Sequence, residues 1–306
     1  MATATFTPAE SEHGNAATRA VAGLARGVRR EVGYAWATPA GRIGLPLVLL
    51  HVVLAVAGPL LAPFPATEFH LLDRFSGPTG TYWLGTDEFG RDIFSRVLSG
   101  ATSIILVSAA GTALGILLGT IVGLSSGYAG GKVDEIVMRV MDGLMSFPAL
   151  LLALLVLTTL GSSHINIILT IGIVFMPRVA RVLRSATLSI KTMEFVQSAR
   201  LRGEPAHYII FREILPNTTP VLTVEASVRL SYAVLLASSL GFLGLGVQPP
   251  SPDWGLMISE GRAHIANAPL IVLAPSVAVA SLVIGVNLLA EGLREARELP
   301  KGERTP

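Results

Sequence analysis

Six long apolar runs dominate this chain, at residues 43–62, 102–124, 137–160, 165–182, 220–247 and 271–290. A bilayer core of about 30 Å takes roughly 20 helical residues to cross. Inside lipid a backbone must satisfy its own hydrogen bonds, which leaves helices or closed barrels. Runs of this length predict an all-α membrane protein with about six transmembrane helices. The charge content agrees, since 14% of residues are charged against roughly 25% in a soluble domain. A net charge of +2 is too small for a nucleic-acid footprint, so the expected surroundings are membrane lipid and no nucleic acid. The chain has no cysteine, which excludes disulfides, thiolate metal sites and cysteine nucleophiles. Residues 1–42 carry five Arg ahead of the first run; a signal-peptide n-region is short, so that run reads as a retained anchor helix.

Cytoplasmic loops carry an excess of Lys and Arg, which orients the spans. Of the 23 Lys and Arg, all but Arg74, Arg91, Arg96 and Arg262 fall in the N-terminal tail, residues 125–142, residues 178–229 or the C-terminal tail. Both termini and the loops 125–136 and 183–219 are therefore expected in the cytoplasm, with loops 63–101 and 248–270 outside. The expected organisation is a cytoplasmic tail at 1–42 and a first span with its outer loop at 43–101. A five-helix core follows at 102–290, and a cytoplasmic tail at 291–306. The expected location is the cell membrane, inner or plasma, as a multi-pass protein.

Gly111, Gly115, Gly119, Gly123 and Gly127 place a glycine at every fourth residue along one face of the second run. Small residues at this spacing let helices approach closely in lipid, where van der Waals contact drives association, so this face is expected to be a packing seam. Gly123-Leu124-Ser125-Ser126-Gly127 matches G-x-S-x-G, but a nucleophile elbow needs a strand-to-helix turn with His and acid partners. No catalytic residue is assigned. The six histidines, His13, His51, His70, His164, His207 and His264, lack metal-ligand spacing, and no metal site is assigned. His51 stands out as a histidine inside an apolar run. Arg139, Asp142, Arg178, Arg181 and the i,i+4 pair Glu225 and Arg229 fall at the margins of spans. There they either pair at the interface or line a pathway. No ionisable residue is expected deep in a span.

Residues 194–217 are amphipathic and too polar to span. Residues 194–202 read as a short helix with Phe195, Val196, Ala199 and Leu201 as its less polar positions, stopped by Gly203 and the Pro205 beyond it. A second short helix is expected from Ala206 to Leu215, ahead of Pro216. Helix, glycine turn and helix hung between two spans make a protruding element against which a cytosolic partner can push.

In this loop Gln197-Ser198-Ala199, Gly203 and Ile214-Leu215-Pro216 resemble the EAA-x3-G motif and the hydrophobic-Leu-Pro ending of inner-membrane permeases of ATP-binding-cassette importers. Gln stands for Glu, Ser for Ala, and Glu213 stands where the family usually has Ile. Two outer segments look like the C-type permease of dipeptide, oligopeptide and nickel importers. One is Leu84 to Arg96, with Gly85, Thr86, Asp87, Gly90, Arg91 and Asp92; the other is Gly241 to Gly255. With Asp142 and Phe147-Pro148 the resemblance covers residues 40–295. It implies a type I importer permease fold, a heterodimer with a B-type permease, two ATP-binding subunits or domains, and an extracytoplasmic substrate-binding protein. It also makes 195–203 the coupling helix, closed by Gly203 and followed by Glu204, with Gly203 allowing a left-handed turn.

The chain lacks the G-x-x-x-x-G-K-[ST] phosphate loop, so no cofactor is assigned to it and ATP with Mg belongs to the partner ATPases. The resemblance implies a transporter subunit and not an enzyme. In the outer loop Asp87 and Arg91 either hold the loop together or meet the binding protein. Pro249, Pro250 and Pro252 stiffen the other outer loop, and Trp254 is expected as an interfacial anchor. The expected cargo is a dipeptide or oligopeptide, with nickel or another small solute as the alternative. An ion-coupled carrier, with broken helices and midplane binding groups, is the rival from another class. Substrate-binding residues are not readable, because they depend on how each span is rotated.

Overall fold

The computed structural model describes residues 31–298; residues 1–30 and 299–306, most of the two expected tails, lie outside the described residues. Among the described residues all regular structure is helical, apart from one isolated bridge between Thr86 and Asp92. Five helices are long and apolar enough to cross a membrane: α1 (Pro39–Leu61), α2 (Ile93–Ala129), α5 (His164–Ile190), α7 (Ala206–Phe242) and α9 (Leu270–Glu298). Between α2 and α5 lie α3 (Gly131–Met145) and α4 (Ala149–Leu160). Two short helices bear on the ends of the bundle, α6 (Glu194–Leu201) and α8 (Trp254–Gly261), besides a helical stretch at 31–36 and single 3-10 turns at Leu71–Asp73 and Arg262–His264.

The run at 137–160 is not one continuous span. It breaks at Ser146, Phe147 and Pro148, where α3 and α4 meet at 86°. Pro148 has no N–H to continue the ladder, and its ring drives Phe147 out of the helical region. At 12 residues α4 extends only about 18 Å, well short of a bilayer core. Several other spans outrun their apolar runs. The 37 residues of α2 extend about 55 Å, and α5 continues to Ile190. As a result Arg178, Arg181 and Arg184 stand within a helix rather than at its margin.

The most extensive packing is between α2 and α5. A Cβ added at Gly111, Gly119 or Gly127 would meet Cβ of Ile171 at 2.7 Å, Val179 at 2.5 Å and Thr187 at 3.0 Å. Between them Gly115 faces Phe175 and Gly123 faces Ala180 and Leu183. Two i,i+4 rows thus lie directly on each other, and because both indices rise together the helices run parallel. That direction fits a chain that turns back once, through α3 and α4, before α5 begins.

α1 runs antiparallel to α9, with Gly41 against Gly292, Gly44 against Leu289 and Leu47 against Gly285. His51 is buried in this neighbourhood without being odd chemically. Its Nδ1 lies 2.8 Å from the Leu47 carbonyl, its Nε2 lies 3.2 Å from Ser281 Oγ, and its ring packs edge-on against Trp254.

Candidate functional site

At the end of the bundle where α2 finishes, α5 hands the chain to α6. Lys191 Nζ donates to the Gly127 carbonyl at 2.8 Å, fixing the end of α5 to the end of α2. The underside of α6 belongs to the core: Val196 and Ala199 are fully buried with Leu124, Leu183, Ile209 and Ile214. Its outer side is bare, carrying Phe195, Gln197, Ser198 and Arg202, with Leu201 89% exposed. Arg200 lies over the Tyr128 ring at 4.9 Å, so one more residue of this helix is tied to α2.

The end of α6 is a Schellman motif. Gly203 N donates to the Arg200 carbonyl at 2.9 Å, and Glu204 N donates to the Ala199 carbonyl at 3.2 Å. Gly203 has φ of +77°, and a Cβ there would meet nothing within 4 Å. The requirement for glycine is therefore purely one of backbone conformation. Arg202 lies 3.8 Å from both Glu204 and Glu213.

The following segment differs from the expected short helix. It begins at Ala206 but does not stop at Pro216; a π-helical stretch, Ile209–Ile214, leads straight into the helix that runs to Phe242. Pro216 sits in the first turn of the α-helical part, where its missing N–H and fixed φ cost least, and the wider π turn before it relieves the clash with the preceding carbonyls. Ile214 is fully buried and Leu215 partly so, while Pro216 faces outward.

At the opposite end, residues 62–92 fold over the start of α2. Asp87 is 1% exposed and organises the turn: Oδ1 accepts from Phe89 N at 2.9 Å and Arg91 N at 3.0 Å, and Oδ2 accepts from Arg91 Nε at 2.7 Å and from Arg96. Both guanidiniums also reach Glu260 of α8, at 3.2 and 3.4 Å. Thr86 Oγ1 donates to the Asp73 carbonyl and accepts from Ser76 N at 3.0 Å, and Gly85 N donates to Tyr82 O at 3.1 Å. Gly90 has φ of +74°, and any Cβ there would lie 1.9 Å from the His70 carbonyl. Asp92 caps α2 by accepting from Ser95 N at 2.8 Å. Nothing in the sequence points to Glu260 as the acid that closes this network, because it is remote in the chain and lies on a helix the apolar runs do not contain.

Trp254 is not an interfacial anchor. It is 0% exposed, donates Nε1–H to the Val97 carbonyl at 2.9 Å, and fills the space over Gly100, where a Cβ would lie 2.7 Å from the indole. Asp253 caps α8 through Leu256 N at 2.8 Å. Burial pushes its carboxyl up to about 6, opposed by hydrogen bonds from Leu256 and Gly255 and assisted by the charge of Glu260.

Midway along the bundle, α4, α5 and α7 form an open groove of about 260 Å³ lined in part by Phe175, Arg178, Arg229, Tyr232 and Ser239, with Arg178 and Tyr232 exposed. A second groove of about 550 Å³, beside the first, lies by the α3–α4 break along Asp142, Ser146 and Arg181. Arg178 and Arg229 line both. Arg229 is held by Glu225 at 2.6 Å and Arg181 pairs with Asp142, whereas Arg184 binds Asp134 at 2.6 Å. The charges expected at span margins sit well inside helices that run on past their apolar stretches. Glu225 is buried inside α7 and Arg178 stands just past the midpoint of α5. The signal present in the sequence is the i,i+3,i+6 spacing of Arg178, Arg181 and Arg184, a polar face that marks the helix as continuing. The G-x-S-x-G match lies wholly within α2, with Ser125 on its exposed side.

The family model for "Binding-protein-dependent transport system inner membrane component" matches residues 115–297. Among curated relatives, the glutathione transport system permease protein GsiD of Pectobacterium atrosepticum is 39% identical over 250 residues, covering 81% of this chain and 83% of that protein. The dipeptide transport system permease protein DppC of Alkalihalophilus pseudofirmus is 37% identical over 254 residues, covering 83% and 84% respectively. Among solved structures, one of the MetNI methionine ABC transporter in inward-facing conformations matches at a TM-score of 0.55 and 18% identity. It covers 66% of this chain and 95% of that one, a likeness of fold alone.

Proposed function

The chain belongs to the family of binding-protein-dependent transport system inner membrane components, and from that premise we propose that it imports a short peptide as one half of a two-permease pathway. It is a multi-pass membrane permease component of an ATP-binding-cassette importer, non-catalytic itself and paired with an ATPase. Family membership implies a second permease, ATPase subunits and a substrate-binding protein. The second permease is taken as a B-type partner, and the two ATPase subunits or domains as users of ATP and Mg. The cargo is read as a dipeptide or a similar small peptide, since similar permeases are named for dipeptide and glutathione transport.

The observation that carries the coupling role is the shape of α6: buried underneath, bare on top, and ended by a glycine that nothing crowds. The exposed upper face, Leu201 included, leaves a surface that a partner can cover. Seated in a groove of an ATPase, Gln197, Ser198, Leu201 and Gly203 form the contact face. Ala199 and the Ile214-Leu215-Pro216 segment anchor that face to the bundle. Closure of two ATPases then displaces α6, and the parallel α2–α5 pair moves with it as a rigid body. Residues 62–92 and α8 form the opposite end, where a binding protein would deliver cargo.

The test is to tag the chain, extract it gently and identify what co-purifies, in wild type and in Gly203→Val. Recovery of an ATPase, a second permease and a binding protein is expected from wild type, and the captured ligand names the cargo. Gly203→Val forces a β-branched residue to φ of +77°, costing about 1–2 kcal/mol locally, so it is expected in the membrane but with ATPase recovery and uptake down at least tenfold. Unchanged recovery and uptake would remove the coupling role. A solitary chain competent for transport would favour an ion-coupled carrier.

A further inference from the structure

We propose that Arg178 is a carboxylate-binding residue on the transport path, holding the anionic end of a peptide in the groove between α4, α5 and α7. The inference rests on the importer reading given above. Its starting point is an imbalance of charge. Each of the neighbouring arginines has its acid: Arg181 has Asp142, Arg184 has Asp134 and Arg229 has Glu225. Arg178 has no ion-pair or hydrogen-bond partner among the described residues. It nonetheless stands near the middle of a 27-residue apolar helix.

A guanidinium in a membrane span is costly unless it pairs or faces water. Arg178 is exposed and lines both open grooves, the one between α4, α5 and α7 and the one at the α3–α4 break, which leaves its guanidinium room for water or a guest. Its neighbours there are suited to a small amphipathic guest. Phe175 and Leu236 supply apolar wall, Tyr232 and Ser239 supply hydroxyls, and Arg229 is turned aside by its bond to Glu225 and its stacking over Tyr232 at 5.6 Å. One uncommitted planar fork in such a groove matches a carboxylate by paired N–H donors. A free peptide carries that group at its C-terminus. A competing role for the same charge is an ion pair with an acid of the second permease, and the experiment separates the two.

The complete importer, purified with its second permease, ATPases and binding protein, is reconstituted in vesicles and given dialanine. Arg178→Gln is expected to reduce maximal uptake at saturating binding protein at least tenfold, with the half-saturating binding-protein concentration within twofold of wild type. Arg178→Lys is expected to recover a third or more of the maximum. A single Ser239→Cys probe, possible because the chain is cysteine-free, reports the groove itself. Dialanine is expected to slow its maleimide labelling at least threefold and dialanine amide to leave it unchanged, and Arg178→Gln to erase that difference. Maximal uptake within twofold of wild type in Arg178→Gln, or equal protection by acid and amide, overturns the assignment. Loss of the second permease from the purified Arg178→Gln complex also overturns it, in favour of the inter-subunit ion pair. A wild-type complex that imports another solute but no dipeptide refutes the peptide reading instead, a result read without any variant.

Discussion

Asp253 shows how one residue can hold a junction together at a cost. Its carboxyl is 2% exposed, caps α8, and lies so close over Gly241 that a Cβ there would meet Oδ1 at 2.1 Å. With burial raising its pKa to about 6 from about 3.9 in an unfolded chain, the native state binds the extra proton between those values. Stability from this group is therefore complete below about pH 4 and is lost as pH rises through about 6, a difference of about 3 kcal/mol. Asparagine caps equally well and does not titrate. Asp253→Asn is expected to gain thermal stability over wild type in detergent as pH rises from 4 to 7, with little difference at pH 4. Parallel melting curves for the two proteins across that range would refute the buried-carboxylate account. Gly203 makes the complementary point, because what it supplies is a backbone angle and no space at all.

At the scale of elements, the α2–α5 seam sets the frame on which the loop ends are carried. Each of the five seam glycines, Gly111 to Gly127, meets α5 at the same turn, so an added carbon there runs into a packed neighbour. Gly119→Val would put a Cβ 2.5 Å from Val179 Cβ and 2.8 Å from the Met176 carbonyl. Overpacking of this kind costs about 1–3 kcal/mol, and a lower melting temperature with aggregation on size exclusion is expected. Gly143 in α3 is exposed with nothing within 4 Å, so Gly143→Ala is expected to be neutral or to stabilise by up to about 1 kcal/mol through helix propensity. Similar melting of the two variants would show that the seam is looser than its geometry. The α3–α4 break works differently, turning a stretch of spanning length into an amphipathic helix and a short apolar one, and opening the larger groove beside it.

For the molecule as a whole, the charged network of Asp87, Arg91, Arg96 and Glu260 and the α6 turn lie at opposite ends of α2, about 55 Å apart by helical rise. On the proposed function, the cargo-receiving and energy-receiving ends then lie on opposite sides of the membrane. With no native cysteine, single-cysteine labelling tests it cleanly. Arg202→Cys is expected to resist an impermeant maleimide in intact cells and to react after permeabilisation, while Gly80→Cys, exposed in the 62–92 loop, is expected to react in both. The reverse pattern would invert the topology.

Much of this was written into local sequence. Length and hydropathy marked five of the membrane-crossing helices, because lipid admits so few alternatives for a backbone, while the run at 137–160 proved to be a bent pair. The glycine period named the seam on α2, and Gly203 with Pro205 marked the end of α6, since capping and φ are local matters. The break at Pro148, the uninterrupted passage through Pro216 and the burial of Trp254 depended on what each segment packs against. Arg178 depended on it most. Whether a charge in a span is paired, snorkelling or aimed into a cavity is a question of helix length and rotation, and only the assembled bundle sets those. The partners chosen by Arg181, Arg184 and Arg229 leave Arg178 over, and those choices are made between helices distant in the chain.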